Sequence, residues 1–102
     1  MIGDIYMNSK QRAYLRGLAN NLTSIFQVGK NGISDYLLKQ VNDALEAREL
    51  IKINVLETSP EEIFDVANSI AKATNSEVVQ TVGNKITIFR ARKKNSKIEL
   101  PK

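Results

Sequence analysis

Apolar side chains in this chain recur at two different spacings, and the order in which those spacings alternate narrows the fold more than any other feature. Tyr14, Leu15, Leu18, Ala19 and Leu22 share one stripe at helical spacing, with Asn8 or Ser9 as the cap. Ser24 to Val28 is a short run rich in strand formers, ended by Gly29. Ser34 and Asp35 then open a second helix, with Ile33 and Leu38 placed as a hydrophobic staple and Leu37, Leu38, Val41, Ala44 and Leu45 as its buried stripe. From Leu50 to Glu57 the period falls back to two, with Ile51, Ile53 and Val55 alternating with Lys52 and Asn54. Ser59-Pro60-Glu61-Glu62 reads as a capping box for a third helix that buries Ile63, Phe64, Ala67, Ile70 and Ala71. Val78 to Val82 and Lys85 to Ala91 are strand-like and separated only by Gly83-Asn84, which predicts a tight antiparallel hairpin.

The resulting order is helix, strand, helix, strand, helix, strand, strand. Strands joined through helices favour right-handed parallel crossovers, and the closing hairpin adds an antiparallel pair. The expected fold is therefore an α/β two-layer sandwich with a mixed four-stranded sheet. A chain of 102 residues is about one domain long. Residues 1–8 are expected to be an N-terminal extension, 9–92 the single domain and 93–102 a loosely held basic tail, with Met7 a second candidate start.

Composition removes several classes of chemistry. The chain has no cysteine and no histidine, so disulfides, thiolate or imidazole metal sites, thiol nucleophiles and the commonest general base are all absent. The acidic start of the third helix is explained by the helix dipole without a catalytic carboxylate pair. Neither an enzyme nor a cofactor or small-molecule substrate is expected. No apolar run approaches the length of a membrane helix and the first residues lack the plan of a signal peptide, which predicts a cytoplasmic protein without a membrane partner.

Charge is segregated along the chain. Residues 1–41 carry five basic and two acidic side chains, residues 42–77 three and eight, and residues 78–102 seven and one. Segregated basic charge suits a polyanionic partner. Arg12 and Arg16 lie one helical turn apart, and Arg90, Arg92, Lys93 and Lys94 cluster at the end of the last strand.

Gly29-Lys30-Asn31-Gly32 joins the first strand to the second helix, and three readings of it compete. A nucleotide-hydrolase phosphate loop fails, because Ser24 occupies the position of the leading glycine and Asn31 that of the metal-binding hydroxyl. A purely structural turn needs glycine only for its backbone. A nucleic-acid clamp, as in KH domains, would use the glycines for close approach, the helix N-terminus for phosphate and Lys30 for charge. Tyr36, just beyond the loop, is placed either to pack or to stack on a base, and Lys39 either to extend the contact or to face solvent.

The ordered set KQRAYLRGLA, FQVGKNG, ALEARELIKINV, VVQTVGNKITIFR and KIELP resembles the CRM domain (chloroplast RNA splicing and ribosome maturation), in particular its bacterial single-domain YhbY-type members, from Ser9 through Leu100. The resemblance implies a fold similar to the C-terminal domain of translation initiation factor three. It also implies an RNA-binding role, with ribosomal RNA or precursors of the large ribosomal subunit as the partner. By residue it carries over to Gly29, Lys30, Asn31 and Gly32. Arg12, Arg16, Arg90, Arg92, Lys93 and Lys94 are added from charge placement alone. If one continuous surface tracks the RNA backbone, these six converge on the loop. The rival expectation is a protein-interaction module whose acidic middle segment docks on a basic ribosomal partner. A monomer is expected in either case.

Overall fold

The computed structural model describes residues 7–92, 96 and 98–101. Seven elements follow in the expected order: α1 (Ser9–Ala19), β1 (Ser24–Val28), α2 (Asp35–Arg48), β2 (Leu50–Val55), α3 (Ile63–Thr74), β3 (Glu77–Val82) and β4 (Lys85–Phe89). The strands form one mixed sheet in the order β1-β2-β4-β3. β1 and β2 are parallel, and β4 runs antiparallel to both β2 and β3. The hairpin thus folds back so that its second strand enters the centre of the sheet. Gly83 turns it with φ +60°, the positive first turn position that a two-residue hairpin of type II′ requires.

Parity along the strands divides the core between two faces. Ile51, Ile53 and Val55 of β2 and Ile86 and Ile88 of β4 point to one face, where Leu37, Val41 and Leu45 of α2 and Val66, Ala67 and Ile70 of α3 cover them. This is the expected sandwich of helices on a sheet. Leu50, Val79 and Phe89 point to the other face, where Leu15 and Ala19 of α1 pack with Met7. Leu22, Ile98 and Leu100 complete that smaller cluster, so the described part of the C-terminal tail is docked rather than loose.

Local chemistry explains most of the boundaries. Asn8 caps α1 in a full capping box, its Oδ1 accepting the Gln11 N–H at 2.8 Å while Gln11 Oε1 accepts the Asn8 N–H at 3.2 Å. Ser34 caps α2 through the Leu37 N–H. The expected capping box of α3 does not form. Ser59 Oγ instead accepts the Glu61 N–H and donates to the Glu61 carbonyl, and α3 begins only after Glu62. The Ser59 N–H closes a turn onto the Leu56 carbonyl, so this serine ends the β2 loop and is too early to start the helix.

The buried stripe of α3 also differs from the expected one. Phe64 is 64% exposed, while Val66 and Thr74, unassigned from sequence, are buried. In α1 the buried stripe is likewise narrower than its apolar spacing suggests, with Tyr14 and Leu18 on the surface.

Candidate nucleic-acid interface

The pairing register brings four segments to one end of the sheet. Val28↔Val55 ends β1 and β2 together, and Val82↔Lys85 closes the hairpin at the same level, since Lys85 also pairs with Asn54. Gly29 to Gly32 leaves from this end. The Gly32 N–H donates to the Gly29 carbonyl at 2.9 Å, closing a four-residue turn with Lys30 and Asn31 at its tip. Both tip residues are exposed, and neither has a positive φ. This is the pattern of a type I turn, which favours glycine at its fourth position; Gly32 has φ +66° there.

The two glycines differ in what requires them. A Cβ on Gly32 would add left-handed strain and meet Pro60 Cγ at 3.3 Å. A Cβ on Gly29 would make only ordinary contacts, 3.5 Å to Leu56 Cδ1 and 3.6 Å to Thr58 Oγ1, with no positive φ. Gly32 is therefore demanded by the turn, whereas the protein's own packing does not demand Gly29.

Directly after the loop, α2 begins, and its first N–H groups have no partners within the helix apart from the one that Ser34 Oγ accepts. Tyr36, in that first turn, is 71% exposed, which removes the packing alternative for its ring. Phe64 in the first turn of α3 is exposed at the same end, beside Glu61, Glu62 and Asp65. Lys39 is also exposed on α2.

Arg12, Arg90 and Arg92, expected to join this site, do not converge on it. Arg90 follows β4 at the opposite end of the sheet, where its Nη1 donates to Asn42 Oδ1 and the Thr74 carbonyl, both at 2.7 Å. Its Nη2 donates to the Asn42 carbonyl at 3.2 Å and pairs with Glu46 at 3.0 Å. The guanidinium thus ties the C-terminal halves of α2 and α3 to the end of β4. Asn42 and Glu46 stand 7 and 11 residues beyond Asp35, so about 10–16 Å of helix separates that tie from the loop end. Arg12 Nη1 donates to the carbonyls of Val78, at 2.5 Å, and Val79, at 3.2 Å. The β3–β4 register slips between Val78 and Gln80, so Arg12 satisfies backbone acceptors at a bulge. That bulge lies near the start of edge strand β3, diagonally across the sheet from Gly29 at the end of edge strand β1. Arg16 is exposed one turn further along α1. Arg92 sits beyond β4, its backbone N–H bound to Glu49 Oε2 at 2.8 Å. Lys93 and Lys94 lie outside the described residues.

Glu49 was invisible to pattern reading. It is fully buried, with φ 68° at the C-cap of α2, and its carboxylate accepts the N–H groups of Arg92 and Ile98 and the hydroxyl of Ser96. A glutamate inside the ALEAREL segment gives no sign that a segment some 45 residues later, by the spacing of these bonds, will fold onto it. Among the described residues no cluster of side chains suits a metal ion, and no helix is long and apolar enough to cross a membrane.

With this geometry in place, comparison with known proteins is specific. The profile of the CRS1 / YhbY (CRM) domain matches residues 7–90. The chain is 48% identical over 95 residues to YqeI of Bacillus subtilis, named as a probable RNA-binding protein, covering 93% of this chain and 99% of that one. It is 32% identical over 96 residues to a Haemophilus influenzae protein named as RNA-binding, covering 94% and 96%. The solution structure of a hypothetical Staphylococcus aureus protein put forward as RNA binding superimposes with a TM-score of 0.79 at 46% identity, covering 94% of this chain and all of that one.

Proposed function

Because the chain belongs to the CRS1 / YhbY (CRM) domain family, we propose that it binds RNA through the Gly29–Gly32 turn, without catalysis, as a monomer in the cytoplasm. The observation that carries this reading is the exposed Lys30-Asn31 tip between two glycines, only one of which the turn itself requires. A backbone without a side chain at Gly29 allows close approach, the start of α2 offers N–H donors, and Lys30 supplies a mobile charge. Ribosomal RNA of the large-subunit precursor is the proposed partner, as the CRM resemblance implies. Contacts to phosphate and sugar explain affinity here, and a chain without an evident base-reading helix is expected to prefer RNA over duplex DNA.

The test is titration of the isolated protein with RNA across a salt series, with duplex DNA as competitor. Binding should weaken as salt rises, and Lys30→Ala should lower the log–log slope by roughly 0.7–0.9. An unchanged slope and affinity would remove the loop from the interface. Crosslinking in cells, followed by sequencing of the attached RNA, identifies the partner.

A second reading has one observation in its favour. Exposed Phe64 surrounded by Glu61, Glu62 and Asp65 suits a basic protein segment with an apolar anchor. Retention of RNA binding by Phe64→Ser, together with loss of a ribosomal protein from the purified complex, would assign that surface to protein.

A further inference from the structure

α1 covers only half of its face of the sheet, and the register defines what the other half presents. One row across the strands reads Gln27, Asn54, Lys85 and Val82, and the next reads Ser24, Lys52, Thr87 and Gln80. These residues share the face of Leu50 and Phe89, but lie toward the loop end, beyond the reach of the Leu15–Ala19 cluster. Asn20, Lys52, Gln80, Val82, Lys85 and Thr87 line a single open depression of about 170 Å³ there.

Toward the loop end, charge on this face is of one sign; Glu77, paired with Phe89, lies at the far end. Neither row contains a carboxylate, and α1 itself carries Lys10, Arg12 and Arg16 with no acidic residue. The opposite layer carries Asp35, Asp43 and Glu46 on α2 and Asp65 on α3, with Glu61 and Glu62 just before it, against the cations Lys39, Arg48 and Lys72. Carboxylates thus outnumber cations on the helical layer and are absent from the two loop-end rows of the sheet's other face. Lys52 faces Thr87 and Lys85 faces Asn54, which makes the lysines diagonal neighbours on adjacent strands, about 7–8 Å apart. Lys85 is exposed. Lys52 donates one hydrogen bond, to the Leu22 carbonyl at 3.3 Å, leaving two of its three N–H donors.

We propose that this open sheet face is a second RNA-contact surface, on which Lys52 and Lys85 bind backbone phosphate while Asn20 and Gln80 hydrogen-bond sugar or base edges. RNA held by the Lys30 turn continues around the end of β1 and β2 onto the face, instead of over α2 and α3, where carboxylates would repel it. The inference rests on the reading of the turn as an RNA clamp and adds a direction and a second set of residues. Paired ammonium groups neutralise phosphates, and adjacent amides both donate and accept, which suits nucleotides better than a uniformly acidic protein surface.

The experiment titrates fluorescently labelled, mixed-sequence single-stranded RNA with the parent protein, Lys85→Glu, Lys85→Ala, Lys52→Met, Gln80→Ala, Lys30→Ala and the opposite-face control Lys72→Ala, each checked by thermal melting. Lys85→Glu should weaken binding about tenfold or more at low salt, and Lys85→Ala and Lys52→Met should each lower the log–log slope by roughly 0.7. Gln80→Ala should weaken binding without changing that slope, and Lys72→Ala should behave as the parent. If Lys30→Ala weakens binding while the Lys85 and Lys52 variants match the parent, the second surface is refuted and the clamp stands. If the parent binds no RNA, both fall together.

Discussion

Gly32 lies against Pro60, so that a Cβ on the glycine would stand 3.3 Å from the proline Cγ, in a residue whose φ of +66° already disfavours one. The contact joins the loop after β1 to the loop after β2, and it separates two glycines that look alike in sequence. Gly32→Ala should destabilise the fold by about 1 kcal/mol or more, read as a drop in Tm of roughly 4–8 °C or greater. Gly29→Ala, with ordinary contacts only, should melt within a degree or two of the parent yet bind RNA more weakly, because its methyl group occupies the approach to the backbone. Equal melting of the two variants would contradict the distinction drawn between them.

Arg90 is expected to behave as a structural residue. Its guanidinium is held by a part-buried main-chain carbonyl at the end of α3 and by two exposed partners, Asn42 and Glu46. The exposed ion pair contributes little, whereas hydrogen bonds to a charged group are worth about 1.5–3 kcal/mol. Arg90→Ala should lower stability by about that amount, and Glu46→Ala by much less. At a temperature where both are folded, RNA affinity should be close to that of the parent. A large affinity loss without a stability loss would return Arg90 to the binding surface.

The carboxylate of Glu49 organises the start of the tail, accepting from Arg92, Ser96 and Ile98 while its own carbonyl accepts the Arg90 N–H. Glu49→Ala leaves these donors to find water and removes the tether that holds Ile98 and Leu100 on the α1 cluster. Stability should fall by about 2–3 kcal/mol, since a hydrogen bond to a charged group is worth about 1.5–3 kcal/mol and water, reaching these part-buried donors, offsets part of the loss. Limited proteolysis after Arg92 should accelerate in step. If the tail remains as resistant as in the parent, apolar contacts of Ile98 and Leu100 suffice to hold it.

What the sequence revealed and what it withheld follow from the range of the interactions concerned. The seven elements, the α2 cap at Ser34 and the Gly83 hairpin are set by neighbours within a few residues, and all are present as expected. The α3 cap failed because Ser59 had two local uses, and the turn from Leu56 took it first. The roles of Arg12 and Arg90 depend on partners 66 and 48 residues away, and no local pattern distinguishes such an arginine from one facing solvent. Lys52 and Asn54 were legible as the polar side of a half-buried strand. That this side stays open at the loop end depends on where α1 crosses the sheet, which spacing does not encode.

Tyr36 supplies the last test, because its exposure separates binding from folding. With 71% of its surface open in the first turn of α2, truncation removes almost no packing, so Tyr36→Ala should change Tm by no more than a few degrees. If a base leaving the Lys30 turn stacks on the ring, the same variant should lose about 1–3 kcal/mol of RNA binding, the range for one base–aromatic stack. Stacking carries no counterion release, so the log–log salt slope should stay at the parent's value, unlike that of Lys30→Ala. Tyr36→Phe, which retains the π-face and lacks the hydroxyl, should restore most of the affinity. Failure of phenylalanine to rescue would assign the loss to a hydrogen bond from the phenol, and full affinity in Tyr36→Ala would take the ring out of the interface.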